Sequence, residues 1–466
     1  MRTDTVQRGP ALALGASGLA LLLAAYAGCS SEGGATAGGD LAILRLTVHW
    51  PQTRDAGLRQ VVALDASEGG VSVREIPPDT QSIIVTVTGP GIGTAITKTV
   101  TRPDVSVPIT EAKLSVPAGS SRQVAVEGRD EAGVVVAVTS VVVSLSPGVT
   151  TNVSAQLGRL KVAWQSHRDG DAEVYLANTD GSGLVNVTTN GAEDWDPVLG
   201  ADGRTVAWWS PRDGDTEIYV ATADEWAPVN VTTNAAGDAI PSLSAGGRTV
   251  AWRSDRDGNW EIYVAEADDW VPVNVTASAS TDESPSLGAD GRTVAWTSDR
   301  DGNWEIYVAR ADDWAPVRVT TDPADDGDAH LSADGRTLAW ESNRDGNWEI
   351  YVASADDWAP VNVTTDPADD RYPSLSTDGR TVAWESNRDG DREIYVAQAD
   401  DWAAVNVTSD GSEDRSPSVS ADGKVVAWES SRDGNWEIYV AKADDWVPVN
   451  VSNDAGLDHW PALKGN

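Results

Sequence analysis

The chain has 466 residues, which is enough for two or three domains and a large buried core. It carries 72 acidic and 34 basic residues, a formal net charge of −38, and therefore repels nucleic-acid phosphates and anionic lipid surfaces. These values exclude a nucleic-acid partner and membrane attachment through a basic patch, while 40% apolar residues argues against a disordered chain.

The first 28 residues have the pattern of a secretory signal peptide. A charged leader, residues 1–8, precedes an apolar stretch of small residues, 11–25, that is too short to span a membrane. Cys29 follows and is the only cysteine of the chain, so it cannot form an internal disulfide. The segment resembles a bacterial lipoprotein signal peptide, and the resemblance implies that the Cys29 thiol accepts a diacylglyceryl anchor. The alternative is an ordinary secretory signal with an incidental cysteine.

The residues after the signal segment predict a flexible tether. Residues 29–40 are rich in Gly, Ser and Ala, which form flexible linkers. No acidic residue directly follows Cys29, and by resemblance to lipoprotein sorting rules this favours the outer membrane. We expect a lipid-anchored protein of the bacterial cell envelope, facing the periplasm or the surface.

Residues 41–157 differ in composition from the rest of the chain and show no internal repeat. Runs rich in Val, Ile and Thr, such as 41–50 and 82–88, are separated by Gly, Pro and Asp. Their spacing predicts an immunoglobulin-like or fibronectin-like β-sandwich. We expect this domain to be a spacer or a second adhesive surface.

From residue 158 to 466 the chain repeats with a period of 44 residues and no insertion or deletion. Each unit divides into four short β-rich runs bounded by turn residues, as in 373–410. A period of about 40 to 45 residues is the length of one four-stranded propeller blade. The triplet Arg-Asp-Gly marks every unit, with its aspartates at Asp169, Asp213, Asp257, Asp301, Asp345, Asp389 and Asp433.

The two ends of the repeat are complementary. The array begins with a second strand at 160–164 and ends with a first strand at 458–463. The last strand would therefore complete the blade that the first begins, and a closed ring leaves only short edges. The sequence predicts an all-β protein with a seven-bladed propeller closed by its N- and C-terminal strands.

A family resemblance follows from the repeated unit. The run Pro-Ser-Leu-Ser-x-Asp-Gly-Arg-x-Val-Ala-Trp, followed by Arg-Asp-Gly and Glu-Ile-Tyr-Val, resembles the TolB-type propeller repeat, also called PD40 or the WD40-like TolB repeat. One complete copy occupies residues 373–396, and the resemblance covers residues 159–463. It implies the same propeller fold, with Trp in the second strands where the family often has Phe.

The repeated residues do not have the pattern of a catalytic site. The four histidines, His49, His167, His330 and His459, do not occupy equivalent positions in the blades. Residues repeated in every blade indicate structural roles, whereas a catalytic site needs different groups that converge on one point. We expect no enzyme activity and no catalytic residues.

Two interpretations fit the acidic hairpins between second and third strands. Oxygen side chains at alternate positions around a glycine are typical of calcium loops. A β-turn stabilised by an Asx-type bond explains the same residues, and we favour it. The calcium candidates are Asp255, Asp257, Asn259, Glu261, Asp299, Asp301, Asn303 and Glu305.

Tryptophans that follow the acidic turn of six blades also allow two interpretations. They could form a platform for sugars or peptides, or they could pack between blades, which we favour. They are Trp226, Trp270, Trp314, Trp358, Trp402 and Trp446.

The connections from one blade to the next differ although the blades are nearly identical. In a propeller these connections share one face with the Arg-Asp-Gly hairpins, around the mouth of the central channel. Variation there is what a binding surface needs, although loops also vary freely. The candidate partner-binding residues in these connections are Trp195, Arg371, Tyr372, Arg415, His459 and Trp460.

These patterns favour a binding protein. We expect a monomeric cell-envelope lipoprotein whose propeller is a protein-binding or scaffold module, attached to the membrane through its lipid only. The second hypothesis is a carbohydrate or cell-wall binding module that uses the tryptophan turns. The third is a calcium-stabilised adhesin or a hydrolase-like propeller. Apart from calcium, no cofactor is expected.

Overall fold

A computed structural model describes residues 41–49, 71–74, 82–88, 92, 96–101, 109–117, 119–129, 135–145, 150–152, 155–156 and 160–463, without 202, 224 and 444. No described residue is helical, so the described part contains no helix that could cross a bilayer. The predicted signal peptide, Cys29 and the tether lie outside the described residues, and their assignments stay predictions.

The described strands of the N-terminal region form two sheets. One has the order β5-β1-β2-β9, with β8 also paired to β1, and the other has the order β4-β3-β6-β7. Two all-β sheets agree with the predicted β-rich domain, while its immunoglobulin-like class stays a prediction. The strands are β1 (Leu41–His49), β2 (Val71–Arg74), β3 (Ser82–Thr88), β4 (Ile96–Thr101), β5 (Ile109–Pro117), β6 (Gly119–Arg129), β7 (Val135–Leu145), β8 (Thr150–Asn152) and β9 (Ala155–Gln156).

Residues 160–463 form seven four-stranded antiparallel sheets, which confirms the predicted propeller. Blade 1 contains β10–β12 and β37, and blades 2 to 7 take four consecutive strands each from β13 to β36. The strands are β10 (Lys161–Ser166), β11 (Glu173–Asn178), β12 (Val185–Asn186), β13 (Trp195–Leu199), β14 (Thr205–Ser210), β15 (Glu217–Thr222), β16 (Val229–Asn230), β17 (Asp238–Leu243), β18 (Thr249–Ser254), β19 (Glu261–Glu266), β20 (Val273–Asn274), β21 (Asp282–Leu287), β22 (Thr293–Ser298), β23 (Glu305–Arg310), β24 (Val317–Arg318), β25 (Asp326–Leu331), β26 (Thr337–Ser342), β27 (Glu349–Ser354), β28 (Val361–Asn362), β29 (Asp370–Leu375), β30 (Thr381–Ser386), β31 (Glu393–Gln398), β32 (Val405–Asn406), β33 (Asp414–Val419), β34 (Val425–Ser430), β35 (Glu437–Lys442), β36 (Val449–Asn450) and β37 (Asp458–Leu463).

The last strand closes the ring as the sequence predicts. β37 pairs antiparallel with β10, so that Val162 lies opposite Leu463 and Ser166 lies opposite Asp458. In every blade the inner strand, next to the channel, is the first of the repeat, and the second, third and outer strands follow outward. The outer strands are only two residues long, such as Val405–Asn406, which keeps each exposed edge short.

The inner strands differ from the prediction at their start. The sequence places the first run of blade 6 at Pro373, whereas β29 already begins at Asp370. A register shift between Arg371 and Ser374 explains the difference, because it interrupts the ladder, and Tyr372 within it has a φ of 53°. This bulge turns the side chains at the start of the strand away from the regular alternation.

The apolar core lies between neighbouring blades. Ile306 and Val308 on the third strand of blade 4 pack with Leu338 and Trp340 on the second strand of blade 5, and all four are buried. Fully burying such a side chain contributes about 1.5 to 3 kcal/mol. The same cluster recurs around the ring, so each blade depends on its neighbours.

A buried carboxylate at the start of each inner strand joins the blade's polar groups. In blade 3, Asp238 is fully buried and accepts hydrogen bonds from Trp252 Nε1 at 2.8 Å and Arg256 Nη2 at 2.9 Å. The guanidinium of Arg256 also lies 4.3 Å from the ring centroid of Tyr263. The arginine of Arg-Asp-Gly therefore anchors the hairpin to the inner strand.

The aspartate of Arg-Asp-Gly has a separate structural role. Asp257 accepts hydrogen bonds from the Tyr263 hydroxyl and from Asn274 Nδ2, which donates to it at 3.0 Å. Asn274 belongs to a glycosylation-like Asn-x-Thr/Ser triplet, but here it is an outer-strand residue that links the strand to the hairpin. The repeated triplet is thus explained by the fold.

The buried carboxylate can be tested within one blade. Asp238→Ala leaves the Arg256 guanidinium and the Trp252 N–H without their acceptor, and we expect a loss of about 3 to 5 kcal/mol in the free energy of unfolding. Urea denaturation measures it. The matched control is Asp268→Ala, because its side chain is 76% exposed and its ion pair with Arg248 contributes little. Equal effects of the two substitutions would contradict this role.

Candidate functional site

The blades differ most at the start of their inner strands, where the channel opens on the face of the Arg-Asp-Gly hairpins. Hydrogen bonds join both elements on this face, since Asn259 Nδ2 of a hairpin donates to Ser280 O of the next connection at 2.6 Å. We call the following seven pairs, spaced by 44 residues, the mouth residues. They are Trp195-Asp196, Ala239-Ile240, Glu283-Ser284, Gly327-Asp328, Arg371-Tyr372, Arg415-Ser416 and His459-Trp460.

All six predicted partner-binding residues are mouth residues. The prediction that Trp195, Arg371, Tyr372 and Arg415 lie in the connections is wrong, because their inner strands begin earlier than the sequence suggests and include them. His459 and Trp460 lie in the closing strand, at the position 458–463 that the sequence predicts. The bulge leaves the second member of each pair with a positive φ, from 45° at Asp328 to 54° at Trp460. As a result, Tyr372 is 37% exposed and Trp460 is 48% exposed.

Aromatic rings support several of the mouth side chains. The rings of Trp195 and Trp209 are 4.4 Å apart, and the Arg371 guanidinium lies 4.5 Å from the centroid of Trp348. Arg415 lies 5.0 Å from the ring of Trp436 in the same way. Stacked guanidinium groups and rings lose little side-chain freedom on binding, which suits an interface.

Buried glutamates on second strands hold the mouth residues of the following blade. Glu341 accepts hydrogen bonds from Arg371 Nη2 at 2.6 Å and from the backbone N–H of Tyr372 at 3.0 Å. Glu429 lies 2.9 Å from His459 Nδ1. The sequence analysis missed these glutamates, although the signal exists, because the fifth second-strand position varies between blades while its neighbours do not.

Asp328 is the mouth residue with the most unusual acidity. The pKa of its carboxyl is raised to about 7, chiefly by burial; the neighbouring Glu341 and Glu283 contribute to the rise, and Arg371 opposes it. Burial likewise raises the pKa of Glu385, the counterpart of Glu341 in blade 6. The mouth therefore combines exposed aromatic rings with carboxyl groups whose ionisation is disfavoured by burial.

The calcium candidates bind groups of the chain itself. In blade 3, Asp255 accepts the backbone N–H of Gly237 at 2.8 Å, and Asn259 turns its amide nitrogen to Glu261 at 3.0 Å. In blade 4, Asn303 and Glu305 repeat the second contact at 2.9 Å. These hydrogen bonds match the turn interpretation that the sequence favours, and calcium at these positions stays an untested alternative.

The turn tryptophans lie on the opposite face and are partly buried. Trp270, Trp314 and Trp358 pack against the core clusters between blades. On that face Arg248, between inner and second strands, pairs with Asp268, between third and outer strands. These contacts match the packing interpretation that the sequence favours, and the platform for sugars or peptides stays an untested alternative.

His330 lies on the inner strand of blade 5, next to the channel. Its Nδ1 accepts the backbone N–H of Leu375 at 2.8 Å. Serines perform the same task in other blades, as where Ser286 Oγ accepts the N–H of Leu331 at 2.9 Å. The position therefore serves contact between neighbouring inner strands.

Comparison with known proteins agrees with this geometry. The family model of the TolB beta propeller domain matches residues 230–342 and 330–466, more than half of the chain. No curated protein matches the chain.

Several solved structures are similar. TolB from Acinetobacter baumannii has 16% identity and a TM-score of 0.44, covering 75% of this chain and 80% of its own. Oligogalacturonate lyase from Vibrio parahaemolyticus has 14% identity and a TM-score of 0.52, covering 61% and 86%. A Mycobacterium tuberculosis puromycin-hydrolyzing peptidase has 17% identity and a TM-score of 0.50, covering 63% of this chain and 52% of the peptidase. At these identities the likeness to the lyase and to the peptidase shows the fold alone.

The acidity of Asp328 predicts a pH-dependent stability. Its pKa is raised from 3.8 to about 7 in the folded protein, so between these values the folded state holds a proton that the unfolded state has released. This contribution is present at low pH and is lost as pH rises toward 7. We expect Asp328→Asn to stabilise the protein relative to wild type increasingly between about pH 4.5 and about pH 7.5.

Urea denaturation across that range measures the difference between variant and wild type. Asp356→Asn is the control, because this side chain is 75% exposed in a turn on the opposite face. A difference for Asp328→Asn that does not change with pH would contradict the raised pKa.

Proposed function

The chain belongs to the TolB beta propeller domain family, and from this premise we propose that it is a cell-envelope lipoprotein whose propeller binds another protein at the mouth residues. One observation carries the proposal. Blades that agree in their core, their buried carboxylates and their hairpins differ at the mouth, where seven different residue pairs surround one opening.

The chemistry of the mouth defines the partner. Trp195, Tyr372 and Trp460 supply aromatic surface, and aromatic and Arg side chains are the usual anchors of protein interfaces. Acidic groups such as Glu283 and Asp328 lie among them. We expect a partner with an apolar centre and a basic or amide-rich rim, whose binding weakens as salt rises.

A binding role accounts for the polar groups of the mouth better than catalysis does. Glu341 is occupied by Arg371, and Glu385 is occupied by Arg392 at 2.6 Å. Carboxylates held by arginines orient the inner strands and are poorly placed to exchange protons with a substrate. We therefore propose that the protein is not an enzyme, although some proteins of similar fold are enzymes by name.

The N-terminal segment supplies the attachment in this proposal. Cys29 would carry the lipid, and residues 30–40 would allow the folded domains to reach a partner while they remain tethered. A single anchored chain needs no basic surface, in agreement with its net charge of −38.

The binding face is tested by combined replacement of Trp195, Tyr372 and Trp460 by Ala. We expect the variant to fold and to lose the protein that wild type captures from its own envelope at low salt. The control, Val271→Ala with Val447→Ala, removes side chains that are 58% and 57% exposed in turns on the opposite face and should capture normally. Loss of capture by the control alone would place the partner elsewhere. Retention on a polysaccharide column without protein capture would favour the carbohydrate alternative.

The anchor is tested separately with Cys29→Ser. Without the thiol no diacylglyceryl group can be attached, so we expect the protein to move from the membrane fraction to the soluble fraction. Immunoblotting of the two fractions measures it. An unchanged distribution would remove the anchor from the proposal and leave the binding face unaffected.

A further inference from the structure

The buried carboxylates of the inner strands have two kinds of environment. In blades 2, 3 and 4 the residue four positions earlier donates a hydrogen bond to the second carboxylate oxygen, Oδ2. The donors are Asn190 to Asp194 at 2.5 Å, Asn234 to Asp238 at 2.6 Å and Ser278 to Asp282 at 3.0 Å. In the other blades an aspartate takes the donor's place, at Asp322, Asp366, Asp410 and Asp454.

The exchange leaves carboxylate oxygens without partners. Oδ2 of Asp326, of Asp370 and of Asp458 has no hydrogen-bond donor, although each of these residues is fully buried. An unsatisfied buried carboxylate oxygen is destabilising, and a second carboxylate beside it adds repulsion. Blades 5, 6 and 1 therefore have a buried carboxylate oxygen that could accept a further ligand, whereas blades 2, 3 and 4 do not.

The blade that closes the ring has the densest such cluster. Glu437, Asp454 and Asp458 each present a carboxylate oxygen within 4.8 Å of those of the other two. Arg168 pairs with both aspartates, so one guanidinium faces three carboxylates and two negative charges remain. Glu437 and Asp458 are 2% and 0% exposed, which makes this charge costly.

Nearby hydroxyl groups do not supply a hydrogen-bond donor to Oδ2 of Asp458. Ser452 donates its hydroxyl to Glu437 at 2.6 Å, and Ser166 accepts from Arg168 Nε at 2.9 Å. Both hydroxyls lie close enough to the Asp458 carboxyl to lower its pKa, but Oδ2 of Asp458 has no hydrogen-bond donor of its own. Hydroxyl residues occupy both positions in every blade, so they do not distinguish blade 1 from blades 2, 3 and 4.

We propose that Glu437, Asp454 and Asp458 bind a calcium ion. Carboxylate oxygens are the ligands of hard cations, and calcium accepts an irregular set completed by water more readily than magnesium does. Oδ2 of Asp458 supplies the ligand that has no other partner, and Asp454, whose side chain is 19% exposed, connects the site to solvent. These residues form a different set from the hairpin candidates of blades 3 and 4.

The position gives the ion a structural role. Glu437 is on the third strand of blade 7, Asp454 is in the connection that follows, and Asp458 begins the closing strand of blade 1. An ion held by all three joins the last complete blade to the strand that closes the ring. With three protein ligands, the dissociation constant should be about 10⁻⁴ to 10⁻³ M, as in extracellular calcium modules.

The test variant is Asp454→Asn, which restores the asparagine found in blades 2 and 3. It removes one ligand charge and supplies a donor for Asp458, so it should fold. The site is measured on the chelator-treated protein at about pH 7.5, because burial and Asp454 raise the pKa of Asp458 to about 6 and its carboxylate is ionised there. Calorimetric titration with calcium chloride counts the sites, and thermal unfolding with and without calcium reports their effect.

We expect wild type to bind calcium saturably and to unfold at a higher temperature in its presence. For Asp454→Asn the number of bound ions should fall by one, and the calcium-dependent rise should shrink. Because a chain of charge −38 attracts cations everywhere, Asp312→Asn, 79% exposed, is the control and should bind as wild type does.

Two results would overturn the site. One is an unchanged number of ions in Asp454→Asn. The other is the absence of saturable calcium binding in wild type.

Discussion

The fold depends on one buried carboxylate in each blade. Asp238 and its counterparts receive the indole N–H of the second strand and the guanidinium of the Arg-Asp-Gly hairpin, so one group fixes three elements at the edge of the core. A buried charge is tolerated only when such donors surround it, and removing one partner costs more than the pair contributes. This explains why the triplet recurs seven times without change: the hairpin arginine is part of the buried structure.

Beyond the buried aspartate and its tryptophan and arginine donors, most other positions of each blade are also fixed by structural contacts. The apolar clusters need the same side chains on both sides of every blade interface, and the outer strands need the asparagine and tyrosine that hold the hairpin. The bulge at the start of the inner strand is the exception, because its positive φ turns side chains out of the ladder and into the mouth. Residues can vary there without loss of the core, and for this reason we propose that the partner binds there.

Closure makes the first blade different from the others. Its inner strand arrives from the opposite end of the repeat, so β10 and β37 are joined by hydrogen bonds, packing and polar contacts between distant parts of the chain. The Arg168 guanidinium reaches across this joint to both Asp454 and Asp458. A cation held beside them would strengthen the same joint, and this links the acidic composition of the chain to the stability of the ring.

The sequence by itself determined the blade number, the strand order and the ring closure. A strict period of 44 residues imposes the same unit seven times, and the incomplete first and last units can only complete each other. Only the tertiary structure decided which groups meet at the mouth. Arg371 finds Glu341 in the preceding blade. Asp255 and Glu261 of the blade 3 hairpin accept backbone N–H groups of Gly237, in the connection before the blade, and of Ser278, in the connection after it. Such contacts depend on strand bulges and on the packing of one blade against the next, and local sequence patterns do not encode either of them.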